Sequence, residues 1–317
     1  MSASLSHIIG TTLRRSAGLA LCLGLLTAPA LAEPELNLKG VIDFHVHSGP
    51  DSVNRSIDAD DLARLAKKNG MRGLVLKNHF ESTATLAYMV RKEVPGIEIF
   101  GGITMDTSNG GINIEAVKRM LLLKGGWGRI VWLPTQNAEN DAKSRKEPTP
   151  TVPVSRDGKL LPNVLELIDF IAQHPDVVLE TGHVSAEEVL LVTRAAKERG
   201  VKHVVVTHAM YYLENMTIPQ MKQAAADGAF IEFDADGPMV GPQPRRTMAE
   251  YAEAIRQIGP QYCLLATNFG TIHNPPFPLH PQGMLDFMNA LHKEGLSVAD
   301  INLMAKTNTA LALGLKP

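Results

Sequence analysis

Apolar, β-branched runs alternate along this chain with stretches whose apolar positions recur at helical spacing. Strands are expected at Val41–Val46, Gly73–Leu76, Ile97–Ile103, Arg129–Leu133, Val177–Glu180, His203–Thr207, Ala229–Phe233 and Tyr262–Thr267. Helices are expected at Ala59–Asn69, Ser82–Arg91, Ile114–Leu123, Asn163–His174, Ala186–Arg199, Ile218–Asp227, Met248–Gln257 and Pro281–Glu294. Signals of period 2 and period 3.6 that trade places in this way mark βα units around a parallel sheet. Some helix ends are written locally: Ser185 with Glu188 three residues on reads as a capping box, and Gly200 as a stop. Eight units over about 250 residues match the closed (β/α)8 TIM barrel. The rival is a doubly wound open sheet, but no Gly-x-Gly-x-x-Gly turn follows the first strand.

Two stretches fall outside the alternation. The connection from Gln136 to Pro162 follows the fourth strand and carries Pro148, Pro150 and Pro153 among charged residues. In a barrel it would lie over the face where the strands end, so 136–162 reads as an irregular, lid-like loop. A surface excursion with no such role is the alternative. Residues 1–32 hold Arg14 and Arg15, an apolar run from Ala17 to Leu26, and Ala30-Leu31-Ala32. This is the layout of a cleaved signal peptide, too short and wrongly flanked for a spanning helix. It predicts a mature domain of 33–317 in the periplasm or medium, exported by the Sec route. The twin-arginine route fits Ser16-Ala17-Gly18 poorly.

The charge balance narrows the partners. Without residues 1–32 the chain has 29 basic and 33 acidic residues. That excludes the basic surface a nucleic acid or an anionic membrane would need. Cys263 would then be the lone cysteine, so stability must come from the core rather than disulfides. A small-molecule substrate is the expected partner, with self-association left open.

Candidate chemistry gathers where the expected strands end, the place a barrel builds its active site. The first strand ends Phe44-His45-Val46-His47, and the strand period puts both histidines on one face. The second ends Lys77-Asn78-His79, the fifth Glu180-Thr181-Gly182-His183, the sixth Val206-Thr207-His208 and the eighth Ala266-Thr267-Asn268. Five of the 11 histidines thus terminate four strands. Neutral imidazoles on converging strand ends suit one or two divalent ions, zinc first. A water bound there would become a nucleophile near neutral pH. His79 could equally be a core histidine that only satisfies a backbone group. His203 begins its strand and belongs to the opposite rim, while His174, His273, His280 and His292 read as loop or surface residues, with His273 and His280, just after the eighth strand, within reach of the mouth. Arg55, Asn109, Thr135, Tyr211, Tyr212, Asp234 and Asp236 fall at the mouth by position, and each reads equally well as a structural residue.

These motifs resemble those of the amidohydrolase superfamily. The run His45-Val46-His47-Ser48-Gly49-Pro50-Asp51, with Lys77-Asn78-His79, Thr181-Gly182-His183 and Val206-Thr207-His208, resembles a poorly characterised branch of its metal-dependent hydrolases. Met304 to Leu315 is similar to the closing helix of many members. The resemblance implies that His45, His47 and His183 bind metal, and that His208 either binds a second metal or orients a water. It implies hydrolysis of a C–N or C–O bond in an amide, cyclic imide, lactone or ester.

Two departures qualify the resemblance. Binuclear members carry a carbamylated lysine after strand four, but here that strand reads Ile130-Val131-Trp132-Leu133-Pro134-Thr135. Lys77 is the lysine at the site, as a bridge, a substrate contact or a general acid. Asn268 stands where aspartate is usual, and a carboxamide cannot take a proton from water. Either Asp51, Glu81 or His208 is the base, or the enzyme is a lyase, decarboxylase or isomerase. A ligand-binding protein without turnover is the remaining alternative.

Overall fold

The computed structural model describes residues 35–145, 149–240, 246–271 and 280–317. The expected signal segment, Pro148 and His273 lie outside the described residues. Eight parallel strands follow one another in chain order: β1 (Ile42–His47), β2 (Gly73–Lys77), β3 (Glu98–Thr104), β4 (Gly128–Trp132), β5 (Val178–Glu180), β6 (His203–Val206), β7 (Phe230–Asp234) and β8 (Cys263–Ala266). Each pairs with its neighbour, and each lies within a residue of its expected bounds. The sheet then comes round on itself. His47 N–H donates to Phe269 O at 2.7 Å and Asn268 N–H to His45 O at 2.7 Å, with a parallel bridge between Val46 and Phe269. The result is a nearly closed barrel, with a helix after each strand as the patterning required.

Helix ends follow local chemistry. Ser185 Oγ accepts from the Glu188 N–H at 3.3 Å while the Glu188 carboxylate accepts from the Ser185 N–H at 3.0 Å, and Gly200 ends the helix at φ 76°. The same reciprocal cap opens the helices Ile218–Ala226 and Met248–Ile258.

Strand parity sorts the apolar residues into two cores. Residues such as Leu74, Leu76, Ile99, Val131, Leu179 and Ile231 face the helices. Ile42, Phe44, Val75, Phe100, Ile130, Val178, Val205 and Leu264 fill the lumen, where Ala310, Ala312 and Leu313 of the closing segment join them. Arg129 fastens that segment by donating to Leu313 O at 2.9 Å.

Two expectations are corrected. The connection 136–162 is not irregular throughout: it contains the helix Glu139–Arg145 and a hairpin of Ser155–Arg156 with Lys159–Leu160. Asp157 and Gly158 turn that hairpin at φ 49° and 70°, the Asp-Gly signal of a tight primed turn. His280 is no surface residue. It is 4% exposed, and its Nε2 lies 2.8 Å from Asp43 Oδ2. Asp43 also accepts from the N–H and Oγ1 of Thr267, at 2.9 and 2.6 Å. A buried carboxylate in β1 thereby gathers the exit of β8, which no local pattern announces.

Candidate metal centre

The site begins with an irregularity in β1. Asp43 pairs with Leu74 and Val46 with Leu76, so β1 spends one residue more than β2 over the same rise. Such a bulge resets which face the following side chains take. Phe44 still packs in the lumen core, yet the next residue, His45, reaches the lumen too, its ring 6.5 Å from that of Trp132. His45 and His47 then lie together with ring centres 5.4 Å apart, while Val46 joins the outer core.

Five imidazoles close a circuit around the upper lumen. His47 and His79 are 5.0 Å apart, His79 and His183 5.4 Å, His183 and His208 5.0 Å, and His208 and His45 5.6 Å. All five are buried. The backbone bends to put them there: His208 and Asn268 hold φ of 23° and 56°, a region L residues rarely adopt. Gly182, at φ 62°, precedes His183, and a Cβ there would meet Leu133 O at 2.3 Å.

Carboxylates orient three of these rings. His45 Nδ1 lies 3.2 Å from Glu232 Oε1, His183 Nδ1 2.9 Å from Asp141 Oδ2, and His208 Nδ1 3.1 Å from Glu214 Oε2. A neutral imidazole donating Nδ1–H to a carboxylate keeps its Nε2 lone pair free for a metal. His79 Nδ1 meets Thr135 Oγ1 at 2.9 Å, and Thr135 in turn donates to Asp106. His47 uses its other nitrogen, with Nε2 3.2 Å from Asn268 Oδ1, while Asn268 Nδ2 donates to Asp234 Oδ2 at 3.3 Å. Burial drives the pKa of His45, His47 and His79 well below the ordinary histidine value and that of His183 down to about 3. Four rings are therefore neutral, the form that binds metal. Burial opposes charge on His208 as well, but Glu214, Asp234 and Glu232 raise its pKa to about 10.

The donors fit a divalent cation. His45 Nε2, His47 Nδ1, Glu180 Oε1 and Glu232 Oε2 are buried without a hydrogen-bond partner among the described residues. His45, Glu180 and Glu232 each offer a ligand atom, all within 4.8 Å of one another. Orphaned buried donors of this kind are rare in proteins because each forfeits its hydration. Two imidazoles sharing one tetrahedral ion at about 2.1 Å bring their ring centres to about 5 Å, which is the spacing of this circuit.

The residues singled out in the sequence divide into three groups. His47, His79, His183, His208 and Asn268 line a cavity of about 190 Å³ at the barrel mouth, with Tyr211, Tyr212 and Asp236 beside them. Gln136, Asp141 and Arg145 of the long connection complete its wall. His45 and Lys77 lie deeper. Lys77 Nζ donates to Asn78 O at 3.2 Å, lies 3.3 Å from His79 Nδ1 and 5.1 Å above the Trp132 ring; burial lowers its pKa to about 8. Asp51 is not among the cavity residues: its Oδ2 accepts from Arg55 Nε at 2.6 Å. Glu81 is exposed. Sequence reasoning passed over Glu180, Glu232, Glu214 and Asp141. A charge inside an otherwise apolar strand was the available signal for Glu232; Glu214 and Asp141 sit in connections with no signal at all.

The same fold occurs in an amidohydrolase from Pseudomonas aeruginosa, with a TM-score of 0.59 at 15% identity over 87% of this chain and 95% of that one. It occurs in organophosphorus hydrolase from Deinococcus radiodurans, with a TM-score of 0.55 at 13% identity over 89% and 98%. It occurs also in 2,6-dihydroxybenzoate decarboxylase from Rhizobium, with a TM-score of 0.53 at 12% identity over 87% and 99%. The resemblance to the amidohydrolase superfamily read from the motifs therefore holds at the level of fold. No curated protein matches the chain by sequence. The sequence profile of a family of unknown function, DUF6282, matches residues 40–232, well over half of the chain, and the protein belongs to that family.

Proposed function

We propose that this protein is a metal-dependent hydrolase of the amidohydrolase superfamily that cleaves a C–N or C–O bond in a small molecule. The observation that carries this reading is the set of three buried histidine–carboxylate pairs, His45–Glu232, His183–Asp141 and His208–Glu214, on converging strand ends. His45, His47 and His183 would hold the ion, with Glu180 and Glu232 as acidic donors beside His45. His208 serves a second ion or positions the reacting water. When bound, a divalent ion such as zinc would supply Lewis acidity toward water and the substrate.

The chain's own groups account for the protons. Asp51 is engaged by Arg55 and Glu81 is exposed, so neither can serve the cavity. Asn268 cannot take a proton, but a buried carboxylate, Asp234, touches it at 3.3 Å, and burial raises the pKa of Asp234 to about 7. Asp234 is the group we assign to accept a proton beside the replaced position. Where it holds no ion, His208 is charged at neutral pH, faces the cavity and can donate to a leaving group. A charged donor beside a missing base also favours a second reading, a decarboxylase or other lyase, in which delivering a proton to carbon matters more than removing one from water.

Metal content decides the central claim. Purified protein should carry about one or two divalent ions per chain, and chelation should lower its melting temperature and abolish turnover. Trace metal whose removal leaves stability unchanged would overturn the proposal. Product mass then separates the readings: gain of water marks a hydrolase, loss of carbon dioxide a lyase.

A further inference from the structure

Arg55 is a cation the preceding chemistry does not use. Its side chain is 4% exposed, and its Nε donates to Asp51 Oδ2 at 2.6 Å. Nη1 donates to Thr271 Oγ1 at 3.2 Å, while Nη2 is buried with no partner among the described residues. An Arg–carboxylate pair is commonly a two-bond fork; here Asp51 meets Nε and leaves Nη2 unspent. Two backbone links hold the group in place. Arg55 and Thr271 form an antiparallel bridge, and Ser56 N–H donates to Gly270 O at 2.9 Å. Thr271 lines the cavity. The guanidinium is therefore fixed beside Thr271, a residue of the cavity wall, and next to Gly270, where a Cβ would meet His47 O at 1.8 Å.

A buried donor left unpaired costs stability unless something else uses it. We propose that Arg55 is an anion subsite beside the candidate metal centre, and that the substrate of this site carries a carboxylate. This rests on the proposed function in placing the reacting bond at the imidazole circuit. It adds the substrate's chemical class: a small acid whose carboxylate meets Nη2 while the rest of the molecule lies toward His47 and His183. Asp51 and Thr271 act here as positioning residues that aim the fork.

The test pairs acids with their amides. Propanoate and benzoate, against propanamide and benzamide, are titrated into protein stripped of metal by chelation and into protein with metal restored, reading melting temperature and binding heat. In both states the criterion is dependence on Arg55. The acids should bind and the amides should not, and Arg55→Gln should weaken acid binding about 10- to 100-fold, the worth of one charge-assisted hydrogen bond. Because Arg55→Gln strands Asp51, the double variant Asp51→Asn/Arg55→Gln removes the buried pair together and should show the same loss with its circular dichroism intact. Equal binding of acid and amide, or acid binding unchanged in the double variant, would overturn the proposal. Tighter Arg55-dependent binding of inorganic phosphate than of either acid would overturn the carboxylate class. Failure of the metal claim leaves the Arg55 dependence in stripped protein standing, and loss of that dependence leaves the metal count standing.

Discussion

Two residues along a single strand face separate two different materials in this barrel. The lower lumen is hydrocarbon: Val75 on β2, Val178 on β5, Val205 on β6 and Phe230 on β7 pack with Phe44, Phe100 and Ile130. Two residues on, the same strands carry Lys77, Glu180, Thr207 and Glu232, and these are buried just as completely. Each large apolar side chain below contributes about 1.5–3 kcal/mol by leaving water. The layer above has the opposite sign. Burial pushes Lys77 down to about 8 and Glu232 up to about 7, so both are held in a setting that disfavours their charge. Trp132 marks the boundary, packed in the apolar cluster below with Lys77 above its ring. The lower half stabilises the scaffold, and the upper half spends some of that stability on burying charged and polar groups.

The sharpest way to break this contrast is to remove one imidazole from the upper layer. His45→Ala or His183→Ala should reduce bound metal to background and abolish turnover, as measured by elemental analysis and product formation. Retention of a full metal complement in both variants would show that the circuit is not the centre. The counterpart below is Phe44→Ala or Phe100→Ala, which should cost about 3–5 kcal/mol in urea unfolding. Metal stoichiometry of the folded fraction should stay the same; a joint loss would mean that the two layers are one unit.

Neutralising an orienting carboxylate sharpens the picture further. Asp141→Asn or Glu214→Gln keeps the shape but weakens the hold on His183 or His208. Metal affinity should fall about 10- to 100-fold, read by competition with a chelating dye. The smallest effect is a slope. Lys77 has a folded pKa of about 8 against an ordinary 10.5, so between those values the unfolded chain binds more protons than the folded one. Relative to Lys77→Met, metal-free wild type should therefore gain stability as pH rises through that window, at up to about 1.4 kcal/mol per pH unit, while His208, raised to about 10, pulls both proteins the other way. Below pH 8 the penalty is full. Lys77→Met should lack the rise, and identical pH profiles for the two proteins would remove Lys77 from the account.

Much of the scaffold is legible one segment at a time. All eight strands fall within a residue of their patterns, the Ser185 cap forms as its spacing requires, and His45 and His47 lie at the end of β1 while His79, His183 and His208 follow β2, β5 and β6 by two or three residues. These are local properties, set by side-chain period, turn chemistry and the wish of apolar faces to be covered. The hairpin turn Asp157-Gly158 was equally local and could have been read. What completes the site was not local. His45 meets Glu232 from 187 positions away, His47 meets Asn268 from 221, and His280 reaches Asp43 from 237. Strict alternation would also have set His45 on the face opposite Phe44, and only the extra residue that β1 takes against β2 brings both into the lumen. The sequence by itself determined which residues could serve as donors and which strand ends would carry them. Closing the barrel decided which donors meet, because pairing strands around a ring is what brings distant carboxylates under the imidazoles and strips both of water.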